Sequence, residues 1–272
     1  MRTSTGKSNG RKTGRAKLLA ALAAAAVLAL VAGIAHAEVS QKGTIRVTFE
    51  GEIKPHALPR SNEAPVTVSV STHIATTEDL PEPPELLRIS LAINRNGHID
   101  YTGLPQCHYK NIQPSNNREA LQSCHSSLVG TGYFSANVLL PEQSPFPSRG
   151  KIYAFNGEVL GHPVIFAHIY GTEPVPTSFV LPFVVRHSNG KYATTLVAYL
   201  PKVKANWGFI TGISLKLNRS FRYKGKTHNY LSASCPAPKG VKLAGFAFAK
   251  AEFVFVGNTV TSTLNRSCRA KG

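Results

Sequence analysis

The residues of this 272-residue chain best suited to chemistry are Glu158, His162 and His168. In GHPVIFAHIYG (Gly161 to Gly171) the histidines are six apart, so on a strand both face one side, where Glu158 could join them as a metal site or an acid/base pair. Glu142 and Glu158 flank a proline-rich stretch and are the carboxylate pair best placed for glycoside-type hydrolysis. Cys107-His108 and Cys124-His125 supply the ligand types of a Cys2His2 zinc site. Neighbouring residues point apart, however, so one ion can rarely use both members of each dipeptide. Ser148-Arg149-Gly150-Lys151 fits S-x-x-K without its SDN and KTG partners. Gly225-Lys226-Thr227 copies the end of a phosphate loop whose first glycine is here Ser220. The chain has two aspartates, Asp79 and Asp100, so calcium cages and two-metal sites lack their usual ligands. A nucleophile elbow, HExxH, a dinucleotide fingerprint and an EF-hand loop are absent, so no catalytic, cofactor-binding or metal residue is assigned and no cofactor is expected.

Charge is more informative than motif. From Glu38 to Tyr199 there are 12 bases and 13 acids, whereas from Leu200 to Gly272 there are 13 bases and a single acid, Glu252. Such asymmetry suits an electrostatic footprint for a polyanion, be it cell-wall polymer, acidic surface or nucleic acid, and equally suits a solubilising surface. Lys202, Lys204, Lys216, Arg219, Arg222, Lys224 and Lys226 fall on successive strands and turns, where alternate side chains could share one outward face. Lys216, Arg219, Arg222, Lys224 and Lys226 are the candidate polyanion-binding set. Trp207, the one tryptophan, stands beside Lys202 and Lys204, as a stacking aromatic would, although a lone tryptophan in a β protein is usually core.

The elements that must position these residues are strands. Val66, Val68 and Val70 alternate with polar residues, the period of a half-buried strand. Similar runs cover Leu86 to Ile93, Tyr133 to Leu140, Lys151 to Val159, Val164 to Tyr170, Phe179 to Arg186 and Thr194 to Leu200. Ile213 to Leu217 follows, and Phe246 to Val256 with Val260 to Leu264 predicts a final hairpin. Asn96-Gly97, Asn156-Gly157 and Asn189-Gly190 suit two-residue turns, with Lys224-Gly225 and Gly257-Asn258 as weaker versions. Ser115 is placed to cap one short helix near 115–122. The pattern predicts an all-β fold, an antiparallel β-sandwich with a β-barrel as runner-up. Glu78 to Glu85 and Pro141 to Gly150 are expected loops, the second a candidate split at 141–150 in an otherwise single β domain over 38–272.

Six bases among the first seventeen residues run into the apolar stretch from Leu18, which ends at Ala35-His36-Ala37. This is the order of a secretory signal peptide over 1–37, with a mature start near Glu38. No later apolar run is long enough to span a membrane as a helix. In an oxidising compartment the four cysteines, Cys107, Cys124, Cys235 and Cys268, are expected as two disulfides. Three connectivities are open, and the sequential one is preferred because each bridge then closes a modest loop.

Three segments, Ala92 to Cys107, Leu128 to Gly157 and Ala167 to Phe183, resemble uncharacterised secreted proteins of soil actinobacteria. The resemblance implies export and a cysteine framework, and it carries no activity or site residue. The expected function is an exported, non-catalytic protein binding an anionic envelope or extracellular polymer through its basic last quarter. The alternative is a secreted hydrolase with Glu/His chemistry in a β cleft. No specific nucleic-acid motif is present.

Overall fold

The structure, a computed structural model, describes residues 37–77, 83–139, 142, 144–201 and 208–271. The signal segment, much of the acidic loop, Lys202, Lys204 and Trp207 therefore lie outside the described residues. Eighteen strands appear among those described: β1 (Glu38–Lys42), β2 (Ile45–Lys54), β3 (Ala57–Pro59), β4 (Ala64–Pro65), β5 (Thr67–Thr76), β6 (Leu86–Asn94), β7 (Gly97–Ile99), β8 (Leu128–Val138), β9 (Phe146–Val159), β10 (His162–Gly171), β11 (Thr177–His187), β12 (Tyr192–Tyr199), β13 (Gly208–Leu217), β14 (Ser220–Tyr223), β15 (Lys226–Asn229), β16 (Leu231–Ala233), β17 (Leu243–Phe255) and β18 (Asn258–Lys271). The helix α1 spans Asn117–Cys124.

Thirteen strands form one sheet in the order β1-β2-β5-β13-β8-β9-β10-β11-β12-β6-β17-β18-β3. It is antiparallel except for β18 with β3, and it is curled as a half-barrel. Alternation decides its faces: in β2, Ile45, Val47, Phe49 and Ile53 are buried while Arg46, Glu50 and Lys54 are exposed. The inward residues of distant strands share one core, in which the Phe49 and Phe253 rings meet edge-on at 6.4 Å. Strands from both sides of 141–150 belong to this sheet, since β8 pairs directly with β9.

A second, smaller core lies on the outer face. Cys107, Ile112, Ala120 and Cys124, from the segment carrying α1, pack against Phe155, Val164 and Phe166 of β9 and β10. Cys107 bonds with Cys124 and Cys235 with Cys268, their Cα atoms 5.4 and 5.7 Å apart. The sequential pairing is the one formed, and it removes the thiolates the zinc reading required.

Several local expectations are corrected. Asn116, rather than Ser115, caps α1: its side chain accepts from Arg118 and Glu119 while Glu119 accepts from the Asn116 backbone. The reciprocal box needs a cap three residues before the glutamate, and Ser115 is four before it. Asn156-Gly157 is no turn but the interior of β9. There Asn156 receives the Cys107 backbone N–H on its own carbonyl and donates its amide to Pro105, and a Cβ at Gly157 would collide with the Phe166 ring. The turn after β9 is instead Leu160-Gly161, both at positive φ. Asn96-Gly97 also fails as a two-residue turn, because Gly97 already starts β7, which pairs with β16. Residues 146–150, expected in a loop, open β9. Pro147 is tolerated there because β10 ends at Gly171, opposite Gly150, so this end of β9 pairs with β8 alone among the described strands.

Candidate functional site

The residues first suspected of chemistry do not meet. His162 is exposed at the start of β10, and His168, about 20 Å along at ~3.3 Å per residue, is fully buried under the α1 segment. Glu158 is exposed and accepts from the Gln106 amide at 3.1 Å. Glu142 precedes the far end of β9, roughly 40 Å from Glu158 by strand length, beyond any pair of glycosidase carboxylates. Ser148 points inward and donates to the Glu173 carbonyl at 2.8 Å, whereas Lys151 is exposed on the opposite face. Among the described residues no group of three His, Cys, Asp or Glu is placed to hold a metal ion.

His168 is a structural residue with a titration. Its Nε2 lies 3.0 Å from the Ser115 carbonyl and 3.2 Å from the Ser115 hydroxyl, and its Nδ1 has no partner among the described residues. Burial drives its pKa below the ordinary imidazole value, with the Ser115 carbonyl opposing. The folded chain thus refuses a proton that the unfolded chain accepts, so stability falls as the pH drops through about 6.5, by at most about 1.4 kcal/mol per pH unit. Thermal melts between pH 7.5 and 5.5 should show a smaller loss for His168→Gln than for the unmodified protein; equal losses would place the acid-sensitive group elsewhere.

The predicted basic set is divided by the fold. Arg222, Lys224 and Lys226 sit on the hairpin β14–β15, which turns at Lys224-Gly225. Phe221 of that hairpin is buried in the main core and stacks across the hairpin on His228, whose Nδ1 lies 3.0 Å from Asp100 Oδ2. Burial pushes the Asp100 carboxyl up, but the His228 and Thr102 hydrogen bonds together outweigh it and leave it below its usual range. Arg219 is half-buried and donates to the Ser126 carbonyl at 3.4 Å, which places it against the segment after α1. Lys216 goes elsewhere, to the outer face of β13. Glu252, the single acid of the last quarter, is paired with Arg88 on β6.

Lys216 joins residues that sequence reasoning did not select. The register sets Ser71, Ser214, Tyr133 and Lys151 in one row across β5, β13, β8 and β9. The row on one side is His73, Gly212, Ser135 and Arg149; on the other it is Ser69, Lys216, Thr131 and Tyr153. Tyr133 is therefore directly opposite Lys151 and diagonal to both Arg149 and Lys216, within the reach of long side chains. Its side is 64% exposed, and all three bases are exposed without a carboxylate partner among the described residues. Glu50 and Glu52 lie at the far edge, on β2, where Ser71 donates to Glu50 and Lys54 pairs with Glu52. Small residues make the centre concave: a trough of about 500 Å3 opens here, floored by Ser71, Gly212, Ser214 and Ser135 and rimmed by His73, Tyr133, Arg149 and Lys151. The available signal was Tyr133 itself, an aromatic in the polar phase of its strand. No helix among the described residues is long and apolar enough to cross a membrane. No protein-family model matches the chain, and no curated protein and no solved structure matches it either.

Proposed function

We propose that this chain is an exported, non-catalytic protein that binds an anionic polymer of the cell envelope or extracellular space on the outer face of its sheet. The observation that carries the reading is the set of three bases, Arg149, Lys151 and Lys216, which have no carboxylate partner among the described residues and surround exposed Tyr133 on three adjoining strands. The backbone under these bases is already fixed by the sheet, so binding a polymer has only their side-chain rotamers left to order. Like charges held side by side give a strong local field, which ions screen over about 10 Å at 0.1 M. Export is supported by the N-terminal basic and apolar run, by the resemblance to secreted actinobacterial proteins and by two disulfides, which persist in oxidising compartments. Of the two architectures, the barrel is the better supported. Arg266 Nε of β18 donates to the Gly51 carbonyl of β2 at 2.6 Å, so side chains join strands near the two ends of the sheet.

Chromatography on a polyanionic matrix tests the binding. The protein should be retained at low salt, and joint replacement of Arg149, Lys151 and Lys216 by Gln should lower apparent affinity about tenfold, at ~0.5 kcal/mol per lost contact. The same change at Arg222, Lys224 and Lys226 removes equal charge and should act less. Equal shifts would show that net charge alone acts, and the reading would fail.

A further inference from the structure

We infer that the trough takes a carboxylated sugar, one uronic-acid unit of an acidic glycan, with its ring on Tyr133; this rests on the reading that the face binds an anionic polymer. A polymer recognised by charge alone has no use for an aromatic ring. Yet Tyr133 stands 64% exposed at the centre of the bases, and no cation covers its ring among the described residues. The apolar face of a sugar ring is a natural partner for such a surface, as Tyr combines a flat apolar body with a polar tip. The trough, about 500 Å3 and open to solvent, has room for one ring of an extended chain.

The surroundings fit the rest of the unit. Arg149, diagonal to Tyr133, has the planar fork that matches a carboxylate with two parallel hydrogen bonds, Lys151 beside it on β9 supplies a point charge, and Lys216, on the opposite diagonal of Tyr133, supplies one for the adjoining unit of the polymer. Hydroxyls of the floor retain bonding capacity: Ser135 Oγ accepts from Thr211 at 3.0 Å, which leaves its own proton to donate. Ser214 Oγ bridges to the Tyr133 backbone and keeps a lone pair for a sugar hydroxyl. Single-stranded nucleic acid would call for a series of stacking aromatics. Here the neighbouring Tyr153 is tied into the small outer core beside Phe155, which leaves Tyr133 as the exposed ring of these two rows.

Affinity electrophoresis at 0.1 M salt with polygalacturonate, neutral dextran, polyphosphate and oligothymidylate tests the inference. Polygalacturonate should retard the protein. Tyr133→Ala should weaken that binding about tenfold, the scale of one lost stacking contact, while Tyr133→Phe, which keeps the ring, stays within about twofold. Polyphosphate binding should be indifferent to Tyr133→Ala. Unchanged polygalacturonate binding by Tyr133→Ala, an equal Tyr133 dependence for polyphosphate or oligothymidylate, or Tyr133-dependent retention by dextran would each overturn the sugar assignment. Polyphosphate held through Arg149, Lys151 and Lys216 with no Tyr133 effect on polygalacturonate would sink the sugar alone. Failure of every polyanion to bind would sink the underlying reading as well.

Discussion

Gly132→Ala should leave little folded protein. Gly132 lies in β8 between β13 and β9, opposite Leu215 and Ile152. A Cβ there would run into the Ser214 carbonyl oxygen and stand 2.8 Å from the Ser214 carbonyl carbon and 3.0 Å from the Leu215 Cα. These are backbone atoms of a central strand, so no rotamer change relieves the clash, and separating the strands breaks the ladder that carries the trough. The expected cost exceeds ~4 kcal/mol, a large part of the roughly 5–15 kcal/mol that holds a domain together. Gly245→Ala is the control: nothing lies within 4 Å of its added methyl, and the change should stay within about 0.5 kcal/mol. Urea melts of the two variants measure the difference. A Gly132→Ala protein that melts within 1 kcal/mol of the parent, a margin typical of harmless changes, would mean β8 and β13 do not approach as closely as described.

Loss of the Cys235–Cys268 bridge should be the next most damaging change. It closes a loop of 33 residues and the Cys107–Cys124 bridge one of 17, which on the chain-entropy model correspond to about 3.7 and 3.1 kcal/mol. The larger bridge also secures β18, the last described strand, whose partners are β17 along its length and β3 at its end. The smaller one closes a segment that has further anchors: the capping box of α1, the Asn156 contacts and the His168 contacts to Ser115. Melting temperature should therefore fall in the order unmodified protein, Cys107/Cys124→Ala, Cys235/Cys268→Ala. Reversal of the last two would show that strain or residual denatured-state structure outweighs loop length.

Much of this molecule follows from periodicity. Val68 and Val70 turn inward in β5, Ile213, Leu215 and Leu217 do so in β13, and the final hairpin forms because alternation dictates which side of a strand is buried. The short helix was legible to within a few residues from a capping side chain ahead of NNREALQ, although the cap is Asn116 and not Ser115, and the cysteine pairing was legible from the short loops it closes. These signals are local, because each is decided by residues a few positions apart. Dipeptide turn rules failed at Asn156-Gly157 for the opposite reason: that backbone is claimed by Cys107, some fifty residues earlier. The charge asymmetry was visible in the sequence, but Lys216, Arg219 and Arg222, close neighbours in the chain, end in three different environments. Lys216 instead shares a surface with Arg149 and Lys151, because β13 is inserted between β5 and β8. Strand order across a sheet is settled by how the whole inner core packs, so composition and alternation determined the all-β class and the faces, and tertiary structure decided which outward residues became neighbours of Tyr133.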